Sequence, residues 1–237
     1  MTRTTSARIA GFTFLFYIAV AFPSIVLMSR ATDAEGTAAQ LARIAGHASD
    51  VRVAILLGLV SCFAAIVLAV TLYGITRDED HELAMLVMAF RIAEGVLGAV
   101  GIPSTLALLW LATAGAGAPD AATANAIGTF LLMPAQATMT GAPFFAVGSL
   151  IFSYLLLRGR LVPVLLAWVG VLASALLVVG LPLQFAGLLA GRIVGLMWLP
   201  MLAFEVPLGV WLLVKGVGTP RHRTGVQGPG TRGEERP

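Results

Sequence analysis

Three ionisable residues, Arg91, Glu94 and Glu205, lie inside apolar stretches long enough to cross a lipid bilayer. A charge at the centre of such a helix costs about 2.5–3.5 kcal/mol on insertion scales, so unpaired charges are not expected there. Arg91 and Glu94 are three residues apart and share a helix face. Glu205 precedes Lys215 by about 15 Å of helix, and Arg91 follows Leu83 by about 12 Å. The similar depths predict an acid–arginine–acid cluster that joins the third and sixth apolar stretches.

This pattern is open to three interpretations. The first is a structural ion-paired core in a protein with a structural or interaction role. The second is a transport site, in which Glu94 or Glu205 is protonatable, because two carboxyls to one guanidinium leave one carboxyl that is neutral or binds a cation. The third places Arg91 and Glu94 at the lipid headgroups by snorkelling, which does not account for Glu205.

Motifs for other chemistry are absent from the sequence. It has no G-x-S-x-G, H-E-x-x-H, P-loop, paired-cysteine or G-x-G-x-x-G pattern, and none of its three histidines lies in an apolar stretch. The acidic segment "TRDEDHE", residues 76–82, lacks the spaced ligands and glycine turn of a calcium loop and predicts a solvated hairpin connection. Cys62 is alone and lies in an apolar run, as expected of a buried residue. We therefore expect no enzyme, metal or cofactor; a lipid-acting membrane enzyme is a further alternative.

Composition indicates an integral membrane protein. Hydrophobic residues make up 58% of the 237 residues and charged residues only 11%, and the mean hydropathy is +0.92. Soluble domains carry about a quarter of charged residues, so most of this exterior must face lipid. The net charge of +3 comes from loops and a basic tail rather than from a nucleic-acid-binding face.

The apolar stretches predict an all-α bundle of six transmembrane helices followed by a disordered basic cytoplasmic tail, residues 218–237. The predicted spans are residues 9–29, 51–75, 83–115, 139–157, 162–183 and 190–214. The first is longer than a cleavable signal sequence and is expected to be retained. The third exceeds the bilayer core of about 30 Å and must tilt, bend near Pro103 or project. Pro163 is expected in the first turn of the fifth span.

Two segments outside the spans are expected to be structured. In "TAAQLARIAGHA" the spacing puts Gln40, Arg43 and His47 on one face and Leu41, Ile44 and Ala45 on the other, which predicts a short interfacial helix within residues 30–50. A link rich in alanine, glycine and proline, residues 116–126, leads into an outer-face or re-entrant piece at about 121–133.

The distribution of basic residues predicts that both termini are cytoplasmic. The N-terminus, the 76–82 loop, the 158–160 turn and the tail hold ten lysines and arginines, whereas the opposite loops hold four. Under the positive-inside rule the richer side faces the cytoplasm.

Two glycine series predict close helix packing. Gly95, Gly98 and Gly101 recur every three residues, and Gly187, Gly191 and Gly195 every four. Small residues at such spacings form grooves in which helix backbones approach each other within membranes. They could join helices of one chain or of a homo-oligomer.

Several stretches resemble a bacterial membrane-protein family, domain of unknown function 4386. They are "ARIAG", "AFRIAEGVL", "YLLLRGRLVPVLLAWVGVLA" and "FEVPLGVWLLVKGV", and the similarity covers nearly the whole chain apart from the tail. Arg91, Glu94 and Glu205 fall on the family's charged positions, whereas Val164 stands where a basic residue often follows the proline. The resemblance implies a six-helix membrane fold and no established activity. We expect the protein to lie in a bacterial plasma membrane.

Overall fold

The regular secondary structure is helical throughout the part of the chain that the computed structural model describes, residues 2–136 and 140–218. The helices are, in chain order, α1 (Arg3–Thr32), α2 (Thr37–Gly46), α3 (Ala48–Thr76), α4 (His81–Thr113), α5 (Ala121–Gln136), α6 (Ala142–Arg158), α7 (Val164–Phe185), α8 (Arg192–Leu196) and α9 (Leu199–Val214). The all-α prediction is confirmed for these residues. The predicted disordered tail lies outside them, apart from Gly218.

Five helical segments are long and apolar enough to cross a membrane. They are α1, α3, α4, α7 and the segment Arg192–Val214, which contains α8 and α9. α4 continues through Pro103 without a break and is about 50 Å long. A helix of this length that crosses a bilayer core of about 30 Å must tilt or project beyond it. By length and composition the protein is a helical membrane protein.

The fourth predicted span corresponds to α6, which is shorter than the other candidates. Its 17 residues extend about 25 Å, and residue 139 of the predicted span lies outside the described part. A Cβ added to Gly141, the residue before α6, would lie 3.1 Å from the carbonyl oxygen of Glu94. α6 therefore begins at the depth of Glu94, in the middle of α4.

The sixth predicted span is not one continuous helix. α8 ends at Leu196, a turn follows at Met197 and Trp198, and α9 begins at Leu199. Pro200 explains the break, because it has no N–H for the carbonyl of Leu196 and its ring would clash with that carbonyl in a continuous helix. The fifth span differs less: Pro163 lies just before α7, as its N-cap, rather than within its first turn.

The N-terminus and two turns meet at one end of the bundle, which we call the charged end (Arg3, turn 77–80 and turn 159–163). Arg3 donates to the carbonyl oxygen of Ile75 at 2.8 Å and to the Glu79 carboxylate at 2.9 Å. The Gly218 N–H donates to the Leu161 carbonyl oxygen at 3.0 Å. The segment predicted to be a solvated hairpin connection is also tied to Arg3 and Arg158 by ion pairs.

A helical cap covers part of the opposite end. Ile44 of α2 is fully buried in an apolar cluster with residues of α1, α3 and α4, and Leu41 packs against that cluster. A hydroxyl–hydroxyl bond of 2.7 Å joins Thr37 to Thr129 of α5. α2 is therefore amphipathic as predicted, except that Ala45 is exposed rather than turned inward.

Asp80 makes two contacts at the charged end, and substituting it tests how much they stabilise the protein. Its carboxylate accepts from the Leu83 N–H at 3.1 Å, capping α4, and from Arg158 Nη1 at 2.9 Å. The Leu83 N–H and then the Arg158 guanidinium lower the pKa of Asp80 below its usual value. The stability that Asp80 contributes is therefore present at neutral pH and is lost as the pH falls through that lowered pKa.

We expect Asp80→Ala to lower the Tm of the detergent-solubilised protein more than Asp80→Asn. Asparagine keeps an N-cap acceptor and loses only the charge, whereas alanine loses both. The difference between wild type and Asp80→Asn should vanish below the pKa of Asp80. Equal losses for the two variants near neutral pH would show that the cap is unimportant.

Candidate functional site: a buried charge cluster

Arg91 is buried at the centre of the bundle with only 1% of its surface exposed. It lies about 15 Å along α4 from the charged end. Nη1 donates to Glu94 Oε2 at 3.0 Å, and Nη2 donates to Ser149 Oγ of α6 at 3.0 Å. Arg91 also continues the buried stripe of α4 that begins at Ala84 and Val87. This position does not favour the interpretation in which Arg91 snorkels to the headgroups.

Two aromatic rings complete the surroundings of the guanidinium. Arg91 Cζ lies 4.6 Å from the ring centroid of Phe145 on α6 and 5.7 Å from that of Phe14 on α1. Both separations are within the range of cation–π attraction, which is strongest where water is excluded. With Glu205 of α9, which is described next, Arg91 contacts residues from three other helices: α1, α6 and α9.

Glu205 faces Arg91 at a longer distance than Glu94 does. Its Oε1 lies 3.6 Å from Arg91 Nη2, which is an electrostatic contact but too long for a hydrogen bond. Glu205 belongs to the buried stripe of α9 with Met201, Phe204 and Leu208, which fixes its direction. The structure thus brings together the three residues of the predicted cluster, which we call the charge cluster (Arg91, Glu94 and Glu205).

Two polar contacts of the charge cluster were not predicted. The Tyr17 hydroxyl of α1 donates to Glu94 Oε1 at 3.3 Å, and Ser149 accepts from Arg91. Neither residue had a distinguishing sequence signal, since tyrosine and serine are common in membrane helices. The contact of Ser149 follows from a close approach of α6 to α4 at Gly148, where an added Cβ would lie 3.1 Å from Phe90 Cβ.

The glycines predicted to pack helices behave differently in the two series. A Cβ on Gly95 would lie 3.0 Å from the Cys62 carbonyl oxygen of α3, and one on Gly98 would lie 3.3 Å from Cys62 Sγ. Gly98 and Gly101 line an open cleft of about 140 Å³ that Gly58 of α3 also borders. These glycines lie at, or border, the α3–α4 contact.

The series Gly187, Gly191 and Gly195 does not pack against another helix in the described part of the chain. Gly187 and Gly191 lie between α7 and α8 with φ of +73° and +68°, so they serve as turn residues. No heavy atom would lie within 4 Å of a Cβ on any of the three. A spacing of four residues defines a helix face only where the segment is one helix, and here it is not.

The closest helix contact involves glycines that the sequence analysis did not select. A Cβ on Gly11 of α1 would lie 2.6 Å from the Gly209 carbonyl oxygen of α9 and would also collide with the backbone N of Leu213. Gly11 and Gly209 are remote in sequence, so no local spacing could have revealed the pair. This contact brings α1 and α9 together about one helical turn from Phe14 and Glu205, which face Arg91.

No group of three or more His, Cys, Asp or Glu residues that could hold a metal ion occurs within residues 2–136 and 140–218. The charge cluster and its neighbours supply one guanidinium, two carboxyls and the hydroxyls of Tyr17 and Ser149, which form ionic contacts and hydrogen bonds.

The profile described as "Domain of unknown function (DUF4386)" matches residues 9–216, which include the whole charge cluster. Searches of the curated proteins and of the solved structures returned no match.

Glycines at a helix contact and glycines with open space around them can be distinguished by substitution. We expect Gly11→Ala to lower Tm and folded yield strongly, because backbone atoms of α9 cannot move aside without separating the helices. Gly195→Ala is the matched control in a helical segment with open space around it and should leave Tm unchanged or slightly higher. Similar behaviour of both variants would contradict the assignment of the α1–α9 contact.

Proposed function

The chain belongs to the family described as domain of unknown function DUF4386, and from that premise we propose that it is a non-enzymatic, six-span protein of the bacterial plasma membrane with a structural or interaction role. In this proposal the charge cluster clamps the helices together. The observation that carries the proposal is the environment of Arg91, which contacts Glu94, Ser149 and Glu205 and two aromatic rings at 1% exposure.

A clamp of this kind suits a bundle in lipid. Exposed apolar side chains cannot drive helices together there, because lipid solvates them as well as another helix does. Large apolar residues on the outside, such as Phe22 at 66% and Leu165 at 77% exposure, are suited to lipid contact. Polar contacts such as those of Arg91 then set the orientation of the helices and their alignment along each other. The apolar exterior requires a lipid bilayer as its partner.

Six crossings with both termini cytoplasmic account for the arrangement of the ends. The N-terminus, both turns of the charged end and residue 218 lie together, and this end carries the larger share of lysine and arginine. α5 and α6 would together make one interrupted crossing, with α6 beginning at the depth of Glu94. Interrupted helices occur at membrane depth where protein covers the freed backbone groups.

The orientation can be tested with an impermeant thiol reagent on intact cells. Single cysteines at Ala38 on exposed α2 and at Asp78 in the charged turn would replace the native thiol in a Cys62→Ser background. We expect labelling at position 38 alone, and at both positions once the cells are lysed. Labelling at position 78 but not 38 on intact cells would reverse the orientation.

The clamp can be tested by removing its cation. Arg91→Gln leaves two carboxyls buried without their partner, and breaking such a buried pair typically costs about 3–5 kcal/mol. We expect a large fall in the Tm of the detergent-solubilised protein. Adding Glu94→Gln to Arg91→Gln should recover part of that loss, because one uncompensated carboxyl is removed.

Arg77→Gln provides a control of the same chemical type. Arg77 forms an exposed pair with Asp78 at 3.7 Å, with about half of each side chain accessible, and such surface pairs contribute little stability. The clamp proposal fails if Arg91→Gln unfolds at the same temperature as Arg77→Gln.

A further inference from the structure

The charge cluster contains more carboxyls than it has cations. Arg91 is 1% exposed, and Glu94 and Glu205 are each 8% exposed. If both carboxyls were ionised, the cluster would carry a net charge of −1 in a region of low dielectric. An uncompensated buried charge is strongly unfavourable, so a buried carboxyl without its own cation is held neutral.

The two carboxyls are not equally bound, which indicates the one that is neutral. Glu94 accepts hydrogen bonds from Arg91 at 3.0 Å and from Tyr17 at 3.3 Å. Both donors stabilise its ionised form. Glu205 has its contact with Arg91 at 3.6 Å, beyond hydrogen-bond distance. Glu94 is therefore the ionic partner of Arg91.

An unused donor on Arg91 supports the same assignment. Arg91 Nε is buried and has no hydrogen-bond partner among the described residues. An ionised Glu205 would be drawn onto a buried guanidinium that still has a free N–H, since charge-assisted hydrogen bonds are the strongest that a side chain makes. Glu205 Oε1 instead lies 3.6 Å from Arg91 Nη2, and Arg91 Nε keeps no partner among the described residues.

No other cation faces Glu205 from the helices packed around it. α1 contributes Tyr17, α4 contributes Arg91 and Glu94, and α7 contains no titratable residue. α6 contributes Ser149 near the cluster, whereas its Arg158 is about half exposed at the charged end. Within the described residues, only Arg91 can thus balance the charge of Glu205. Arg91 already forms a hydrogen-bonded ion pair with Glu94.

We propose that Glu205 is a binding site for one exchangeable proton, while Glu94 remains the ionised partner of Arg91. This rests on the proposed clamp and adds a ligand to it. In the binding step a Glu205 carboxylate oxygen takes a proton from hydronium, an O–H bond forms, and one water molecule is released. The charge of the cluster changes from −1 to zero, and release is the reverse reaction. Intramembrane carboxyls that exchange protons are the elements on which proton-coupled transport depends.

The proposal can be tested on the purified full-length protein with dicyclohexylcarbodiimide, an apolar reagent that modifies protonated carboxyls. Modified residues would be located by mass spectrometry after reaction at mildly acidic and mildly alkaline pH. We expect modification at Glu205, falling about tenfold for each pH unit above the midpoint of its titration. Infrared spectra should show the carbonyl stretch of a protonated carboxylic acid that Glu205→Gln removes.

Glu94→Gln is the decisive comparison. It frees Arg91 to pair with Glu205, so Glu205 should become ionised and its modification should decrease at every pH. Modification at Glu94 instead of Glu205 would overturn the assignment, as would infrared spectra of wild type and Glu205→Gln that are identical at acidic pH. Protection of Glu205 by sodium ions at constant pH would overturn it in favour of a metal cation.

Thermal unfolding separates this proposal from the clamp. Glutamine resembles a protonated glutamate, so Glu205→Gln should keep the wild-type Tm near neutral pH while Arg91→Gln does not. A loss of Tm in Glu205→Gln as large as in Arg91→Gln would overturn the proton site and leave the clamp standing. An unchanged Tm in Arg91→Gln would overturn the clamp without affecting the carbodiimide result.

Discussion

A guanidinium that is always charged and has almost no contact with solvent sets the main constraint on this bundle. Arg91 lies too far from the charged end to place its head in water, so its charge must be balanced inside the protein. The matching groups come from several helices: Glu94 from α4, Ser149 and Phe145 from α6 and Glu205 from α9. Each of these helices is thereby tied in depth and rotation to the same point on α4.

Close backbone approaches make that matching possible. Gly148 lets α6 lie against α4 where Ser149 and Phe145 can reach Arg91, and Gly11 meets Gly209 where α1 meets α9. A side chain at any of these glycines would move the polar groups away from the guanidinium. The glycines and the charged residues therefore act together. The glycines set the distance between the helices, and the charged residues supply the specific attraction.

The sequence alone was sufficient for the features that depend on local spacing. Apolar stretches gave the long helices, and counting helical rise placed Glu205 at the depth of Arg91. Features that depend on contacts between remote segments could not be predicted, such as the Gly11–Gly209 approach and the bond from Tyr17. The break before α9 has a local cause in Pro200. Because the whole stretch is apolar, its composition predicts one continuous span there, which wrongly places Gly187, Gly191 and Gly195 on one helix face.

The number of carboxyls, rather than the presence of the ion pair, separates a purely structural cluster from one with a ligand. A clamp needs a single carboxyl opposite Arg91, and Glu94 meets that need with a bond from Nη1 and another from Tyr17. A second buried carboxyl adds no hydrogen bond and brings a desolvation penalty when ionised, so packing alone would favour an apolar residue or glutamine at position 205. The proposed proton site accounts for the position of Glu205 on the buried stripe of α9, facing Arg91 at 3.6 Å. A carboxyl that is neutral when protonated and charged when it releases the proton would give the proposed clamp two states.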